Sequence, residues 1–444
     1  MAGKIKELID YIISQRAANN PTGEKVIKAK LILKGINPNK YTADSPDDQA
    51  VLDKLQTMLT ELKIDAAPAA TTSGSMCTRT AWTQKTSIDE ALADLEAQLA
   101  GVDPRLILFF ASTCHNPDSL SERMQDNFPN ALVVGCSTAG EIVSGQMLAN
   151  AIVAMAFSGQ SLSDVKIEIV EEPASPHAVR AAFDSFARYF REPAAAMDPA
   201  KYVGIVLADG LGGAEETLLE TIGDLTNVTF IGGSAGDDLR FSGTRLYAHG
   251  NCYTSGAALI LLKPTVPFTC IKTQSFNDLG RPLTVTMANE AKREVLEFDG
   301  RPAAVAYAEA LGTTVENAAN RFIANPLGLI IDGEPFVRSP QQIKADNRMS
   351  FYCGVREGMT LSLLQSTDII ADTRAAIDQA RQELGGISAI INFNCILRTM
   401  ELKQRGLSQE YGRLFADIPT IGFSTYGEQY IGHLNQTATM LVFR

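Results

Sequence analysis

The sequence predicts an α/β protein of repeated strand-helix-strand-strand units in two sheet-containing lobes, preceded by an N-terminal helical module. Three observations carry this. One strand-turn motif is written three times, apolar stretches of strand length flank every copy, and the first 64 residues show helical spacing and a charge balance opposite to the remainder.

The first copy runs through Val134-Gly135-Cys136-Ser137-Thr138-Ala139-Gly140-Glu141 and the third through Ile421-Gly422-Phe423-Ser424-Thr425-Tyr426-Gly427-Glu428, aligned without a gap. The second, Ile231-Gly232-Gly233-Ser234-Ala235-Gly236-Asp237, is one residue shorter. Each apolar run is short, rich in β-branched residues and closed by turn formers, the pattern of a buried strand. The glycines allow a sharp turn or a close backbone approach. Strand candidates at 106–111, 204–208 and 389–393 precede the copies, and others at 151–157, 257–262 and 438–443 follow them. Units of this size bury their apolar faces only against one another.

Taken in order, Ile5, Leu8, Ile9, Ile12 and Ile13 form the stripe of a first helix. A second helical stretch covers about 24–33, and a third begins near Asp47-Asp48, acids suited to a helix start. Residues 1–64 hold ten Lys/Arg against eight Asp/Glu, a net of +2 in a chain of −12. The stretch 65–86 reads as a linker, with Ala, Pro, Thr, Ser and Gly dense over 65–75. An α/β domain over 87–265 and a second over 266–444 follow, with helices expected at 88–99, 176–190 and 368–384. Short strands with turns are expected between 311 and 364.

At 444 residues, 45% of them apolar, the chain is long enough for two or three domains. No apolar run approaches the roughly 18 residues of a membrane span, so no membrane insertion is expected. The mixed charges of Lys4, Lys6 and Glu7 do not suit a signal peptide. Seven cysteines without paired spacing fit reduced thiols, and with them a cytoplasmic location. The acidic balance argues against nucleic acid as a partner.

Several stretches together resemble the FIST sensory domain, a bacterial and archaeal signal-transduction family with N-terminal and C-terminal halves. They are Gly135 through Ile142, Gly232 through Asp237, Asp299-Gly300-Arg301-Pro302-Ala303, Phe393-Asn394-Cys395 with Arg398, Gly422 through Glu428, and Asn435-Gln436-Thr437. The resemblance spans about 88–444 and omits the N-terminal module. It implies a sensor of a small ligand such as an amino acid. Some members resemble haem-binding nitric oxide sensors that act on histidine kinases, so haem as cofactor and a kinase as partner are further implications. Gln429 departs from the isoleucine often found there.

Gly232-Gly233-Ser234-Ala235-Gly236 matches the G-x-S-x-G elbow of hydrolases, but residues 237–243 are poor helix formers where that motif needs a helix. The favoured site is a cleft at the strand ends of the C-terminal half, bounded by Cys395, Arg398, Tyr426, Glu428, His433 and Asn435. There Arg398 would hold an anion, Glu428 would accept an ammonium, Tyr426 would form an apolar wall and His433 would serve as a haem ligand. The next candidate rim is Ser112, His115, Cys136, Ser137 and Glu141, with His115 the alternative haem ligand. These acids and bases could instead pair with each other. The competing class is a metabolite-converting enzyme working at Cys395, Arg398 and Glu428, although no nucleophile-base-orienter set can be assembled. A homodimer through the N-terminal helices is also an expectation.

Overall fold

The computed structural model describes residues 3–17, 24, 27–28, 31–32, 34–42, 45–60, 77–331, 333–430 and 432–444. The linker-like 65–75 stretch and half of the 24–33 helix lie outside them. In the N-terminal module, α1 (Lys4–Ala17) and α2 (Gln49–Thr60) bring Ile5, Ile9, Ile12, Leu52 and Leu55 into a small core with Ile27, Leu31 and Ile36. The module touches the rest through Ile32, packed on the main core, and an ion pair from Lys34 to Asp224 (2.5 Å).

The remainder is a mixed α/β fold in which each unit is a strand, a helix, a strand, a helix, a strand, a hairpin and a last strand. The first unit contains β1 (Thr78–Thr83), α3 (Ile88–Leu99), β2 (Pro104–Ala111), α4 (Pro117–Asn127), β3 (Leu132–Ser137), the hairpin β4 (Glu141–Val143) and β5 (Gln146–Leu148), and β6 (Ile152–Ser158). Its opening strand β1 pairs with β6 along the sheet edge, inside the 65–86 stretch expected as linker. The second unit contains β7 (Leu162–Val170), α5 (Pro176–Phe190), β8 (Val203–Ala208), α6 (Glu215–Leu225), β9 (Phe230–Ser234), the hairpin β10 (Leu246–Ala248) and β11 (Asn251–Tyr253), and β12 (Ala257–Pro264).

The third unit opens with β13 (Phe268–Gln274) and is interrupted at once by an inserted domain. The insertion contains β14 (Phe276–Asn289), β15 (Glu294–Phe298), β16 (Arg301–Pro302), α7 (Ala303–Leu311), β17 (Leu327–Ile331), β18 (Glu334–Arg338), β19 (Pro340–Ile343), β20 (Met349–Phe351) and β21 (Thr360–Ser366). The unit resumes with α8 (Ile369–Leu384), β22 (Ala389–Cys395), α9 (Ile396–Gln404), β23 (Thr420–Thr425), the hairpin β24 (Glu428–Tyr430) and β25 (Gly432–Leu434), and β26 (Thr437–Phe443).

The units exchange hairpins in a ring. The sheet orders are β1-β6-β2-β3-β10-β11, β7-β12-β8-β9-β24-β25 and β13-β26-β22-β23-β4-β5, so each six-stranded sheet is completed by another unit's hairpin. The 265/266 boundary is therefore crossed in both directions. Sheet faces turned inward share one core, where Phe110 meets Phe423 with ring centroids 4.6 Å apart and Phe393 closes against both. Outer faces are covered by each unit's own helices.

The repeated motif sits where the units meet. In every copy the first glycine lies opposite a residue of the parallel neighbour: Phe109 faces Gly135, Val206 faces Gly232 and Asn392 faces Gly422. A Cβ there would stand 2.0, 1.8 and 2.1 Å from that residue's carbonyl oxygen, so these glycines serve close strand approach rather than a turn. Beyond them the turns bond to one another. Gly236 N–H donates to Ser137 C=O (3.0 Å), Ala139 N–H to Ser424 C=O (3.1 Å), and Tyr426 N–H to Ser234 C=O (3.0 Å). Amides that could have faced a ligand are thus used in joining the units.

Candidate functional site

A cavity of about 620 Å³ lies where the third unit, the second unit's turn and the inserted domain meet, within the usual size range of small-ligand sites. The third unit lends Cys395, Ile396, Leu397, Met400, Tyr426 and Asn435 to its wall. Leu239 and Phe241 come from the loop after β9, and Lys292, Arg293, Phe322, Gln341, Phe351 and Tyr352 from the insertion. The lining is largely aromatic and aliphatic, with two amides, Lys292, and Arg293 paired with the Glu215 carboxylate at 2.8 Å. Asn435 is buried, and its side-chain oxygen has no hydrogen-bond partner among the described residues. A buried acceptor left open in this way favours a donor from a bound molecule.

The loop over 237–243 is held in a costly shape. Asp238, Leu239 and Phe241 have φ of +54°, +63° and +52°, a region side-chain-bearing residues rarely occupy. Asp237 fixes it by accepting from the N–H groups of Phe241 (2.9 Å), Ser242 (2.6 Å) and Gly243 (3.0 Å) and from the Tyr426 hydroxyl. Burial alone would raise the Asp237 pKa, but these donors outweigh it and hold it below the ordinary value. The Tyr426 oxygen also accepts from Leu239 N–H (2.9 Å), and its ring stacks on Phe241 at 5.1 Å and 20°. Phe241 is nonetheless 58% exposed, and such strain with an open apolar ring is frequent at binding sites.

Of the six residues expected in the C-terminal cleft, Cys395, Tyr426 and Asn435 line this cavity. Arg398 is 1% exposed and turned into the protein. It donates to Asn394 (3.2 Å), Ser275 (3.4 Å) and Thr373 (2.9 Å), and its guanidinium lies 5.9 Å from the Tyr411 ring centroid. Glu428 is buried, accepting from Thr425 and from Thr437 N–H (3.2 Å) and hydroxyl (2.8 Å). Burial raises its pKa to about 7 against those hydrogen bonds. His433 lines a neighbouring cavity of about 300 Å³.

The second candidate rim is a closed seam. Ser112 Oγ (3.0 Å), Thr113 N–H (3.0 Å) and Thr113 Oγ1 (2.6 Å) all donate to Asp238, and Ser137 Oγ donates to Gly236 C=O (2.6 Å). Glu141 repeats the Glu428 arrangement, accepting from Thr138 and from Ala151 N–H (3.1 Å), and burial raises its pKa to about 8. Burial also pushes the Cys136 thiol well up and lowers His115.

The two cavities at His433 and Cys395 do not fit haem. His433's cavity has a lining rich in Glu, Arg and backbone rather than an apolar slot, and its ring is packed against Gly427, where a Cβ would come within 2.1 Å of Cε1. In the larger cavity Cys395 is the thiol candidate, but burial, seconded by Glu428, raises its pKa well above the ordinary value, against the thiolate a metal needs.

The FIST N domain matches residues 105–301 and the FIST C domain residues 303–431, and the chain belongs to the FIST family of signal-transduction sensor domains. The family boundary falls inside the insertion, between β16 and α7. No curated protein matches the chain. No helix among the described residues is long and apolar enough to cross a membrane.

The sequence reading missed the 237–243 loop and every lining residue of the insertion. The loop carried one signal, Leu239 and Phe241 set between Asp238, Arg240 and Ser242 in a stretch that cannot be a helix. Lys292, Phe351 and Tyr352 carried none, because only the tertiary arrangement brings them to the third unit.

Proposed function

We propose that this chain senses a small, amino acid-like metabolite held in the cavity between Asn435, Tyr426, Phe241 and the inserted domain, and passes the signal to a separate protein. A cavity with aromatic walls, in whose wall the unpartnered Asn435 oxygen is buried, carries the reading. A ligand N–H or ammonium would meet that oxygen, an apolar body would lie against Phe351, Phe322 and Tyr426, and a carboxylate would find Lys292 at the edge. Because Tyr426 grips the strained loop, ligand contact with the ring gives binding a route to the surface at Phe241. The seven free cysteines agree with a cytoplasmic setting. The resemblance makes a histidine kinase the expected output partner. The N-terminal module, with its own core, is the element we assign to homodimer contact. The sequence halves 87–265 and 266–444 are best treated as one folding body, given the exchanged hairpins.

The test is a thermal-shift and calorimetric screen of free amino acids against the full chain. Binding without turnover, weakened about 10-fold or more by Asn435→Ala, is expected. Conversion of a bound compound would favour the enzyme reading, and binding unaffected by Asn435→Ala would move the site elsewhere.

A further inference from the structure

Seven large apolar side chains are exposed among the described residues, and three of them gather at the mouth of the larger cavity. Phe241 is 58% exposed, Leu211 43% and Leu239 41%. The other four, Tyr11, Tyr189, Leu279 and Met287, lie on α1, α5 and β14. An apolar side chain exposed singly needs no explanation, whereas a group of them marks a contact surface.

Both loops that carry the group are built around Tyr426. Its oxygen accepts from Leu239 N–H and its ring stacks on Phe241. Gly210 is packed against the same residue, where a Cβ would come within 3.0 Å of the Tyr426 Cβ, and Leu211 follows it. Asp209 ties the two loops together by accepting from Leu211 N–H (2.9 Å) and from the Thr244 hydroxyl (2.6 Å). Leu239 and Phe241 hold φ of +63° and +52°. That strain leaves their side chains in water instead of turning them into the core, a double cost that a docked partner would reverse.

The charges around the group face in different directions. Arg240, between the two apolar residues of its loop, and Lys292, on the cavity wall, are exposed and form no ion pair among the described residues. Arg245, at the loop's end, is half-buried and donates to Thr244 C=O (2.8 Å), not to a carboxylate. The carboxylates of these loops are spent inward. Asp237, 1% exposed, holds the loop's own N–H groups, and Asp238 accepts from Ser112 and Thr113. In a chain of net charge −12, the charges that this surface offers a partner are cationic.

We propose that the surface docks a protein segment in which apolar side chains are set among carboxylates. The apolar ones would cover Phe241, Leu239 and Leu211, and the carboxylates would pair with Arg240 and Lys292. The Phe241 ring lies 20° from the plane of Tyr426 and so presents a flat face, which suits a side chain packed upon it rather than insertion into a bilayer. The docking surface gives the sensor reading its output and rests on that reading only for its regulatory sense; docking itself needs no ligand in the cavity.

In the experiment the full chain selects from a displayed library of random peptides, and one enriched peptide is synthesised and its affinity measured by fluorescence anisotropy. Enriched sequences should combine Leu, Ile, Phe or Trp with Asp and Glu. Phe241→Ser should weaken the peptide about 10-fold or more, Arg240→Glu about 3-fold or more and by a larger factor at low salt, and Met287→Ser, on β14, not at all. Should Phe241→Ser fail to fold, Arg240→Glu decides. The proposal is overturned by a selection that enriches nothing over the starting library, by selected sequences that are basic or wholly polar, or by a peptide indifferent to either Phe241→Ser or Arg240→Glu. Binding to phosphatidylserine vesicles that Phe241→Ser abolishes would also overturn it and make the patch a membrane contact. Peptide binding with no amino acid bound would count against the sensor reading of the cavity alone, and amino acid binding with no peptide selected against the docking surface alone.

Discussion

In the first unit the turn after β3 ends in Glu141, and in the third the turn after β23 ends in Glu428. Both glutamates are buried, both accept from the threonine three residues before them, and both catch an N–H where the unit's last strand begins, from Ala151 and Thr437. The first turn is nevertheless sealed and the third borders a cavity. The difference begins at one position. Where the third turn has Tyr426 the first has Ala139, and only the tyrosine reaches out to hold the 237–243 loop away from its own unit. On the other side of that loop, Asp238 is drawn onto Ser112 and Thr113 and closes the first rim. Equivalent backbones thus acquire different roles from one side chain and from what lies opposite. The larger cavity is a product of broken symmetry, not of the motif.

The most severe test of the equivalence is at the first glycine of each motif. Gly135→Ala and Gly422→Ala should each cost more than about 4 kcal/mol, seen as loss of the folded state by circular dichroism and denaturant melting. Each new Cβ would meet a backbone carbonyl that cannot move without parting two parallel strands. If only one of them tolerates alanine, the two units are not equivalent.

The next test is electrostatic. The folded pKa values of Glu141 and Glu428, about 8 and about 7, lie above the ordinary value of 4.5. Between 4.5 and those values the unfolded chain gives up the proton while the folded chain keeps it, so stability is greatest below 4.5, falls as pH rises, and levels off once both groups ionise. Denaturation midpoints between pH 5 and 8.5 should show this fall. Glu428→Gln should flatten it up to about pH 7, by roughly 3 kcal/mol, and Glu141→Gln up to about pH 8, by roughly 4 kcal/mol. Slopes indifferent to either substitution would mean that the two clasps are solvated.

Much of the fold was legible because periodicity records burial. The strands beside each motif copy, the helices at 88–99 and 176–190, and the three-fold repetition follow from apolar runs and turn residues. The hairpin exchange was not legible, since Glu141–Val143 and Glu428–Tyr430 read the same whichever sheet they join. Site residues fared by a similar rule. Counting along β22 placed Cys395 and Arg398 at a strand end, but not the direction of their side chains. In the first unit residues 112–116 separate β2 from its helix. In the third, α9 starts at Ile396, directly after β22, and that immediate turn sends Arg398 towards Thr373 on α8 and away from the cavity.

The smallest expected effect isolates the asymmetry itself. Tyr426→Phe keeps the ring that stacks on Phe241 but removes the oxygen that donates to Asp237 and accepts from Leu239 N–H. Asp237 retains its bonds from Phe241, Ser242 and Gly243, so the loop should loosen without leaving its place. A loss of about 1 kcal/mol is expected, with faster amide hydrogen exchange confined to residues 237–243. The first unit's turn, which has no such tether, should show no change in exchange at 137–141. Faster exchange at both turns would mean that the loop braces the whole junction of the three units. Unchanged exchange at 237–243 would assign its hold to Asp237 alone, and Tyr426 would then be a wall of the cavity with no part in transmitting occupancy.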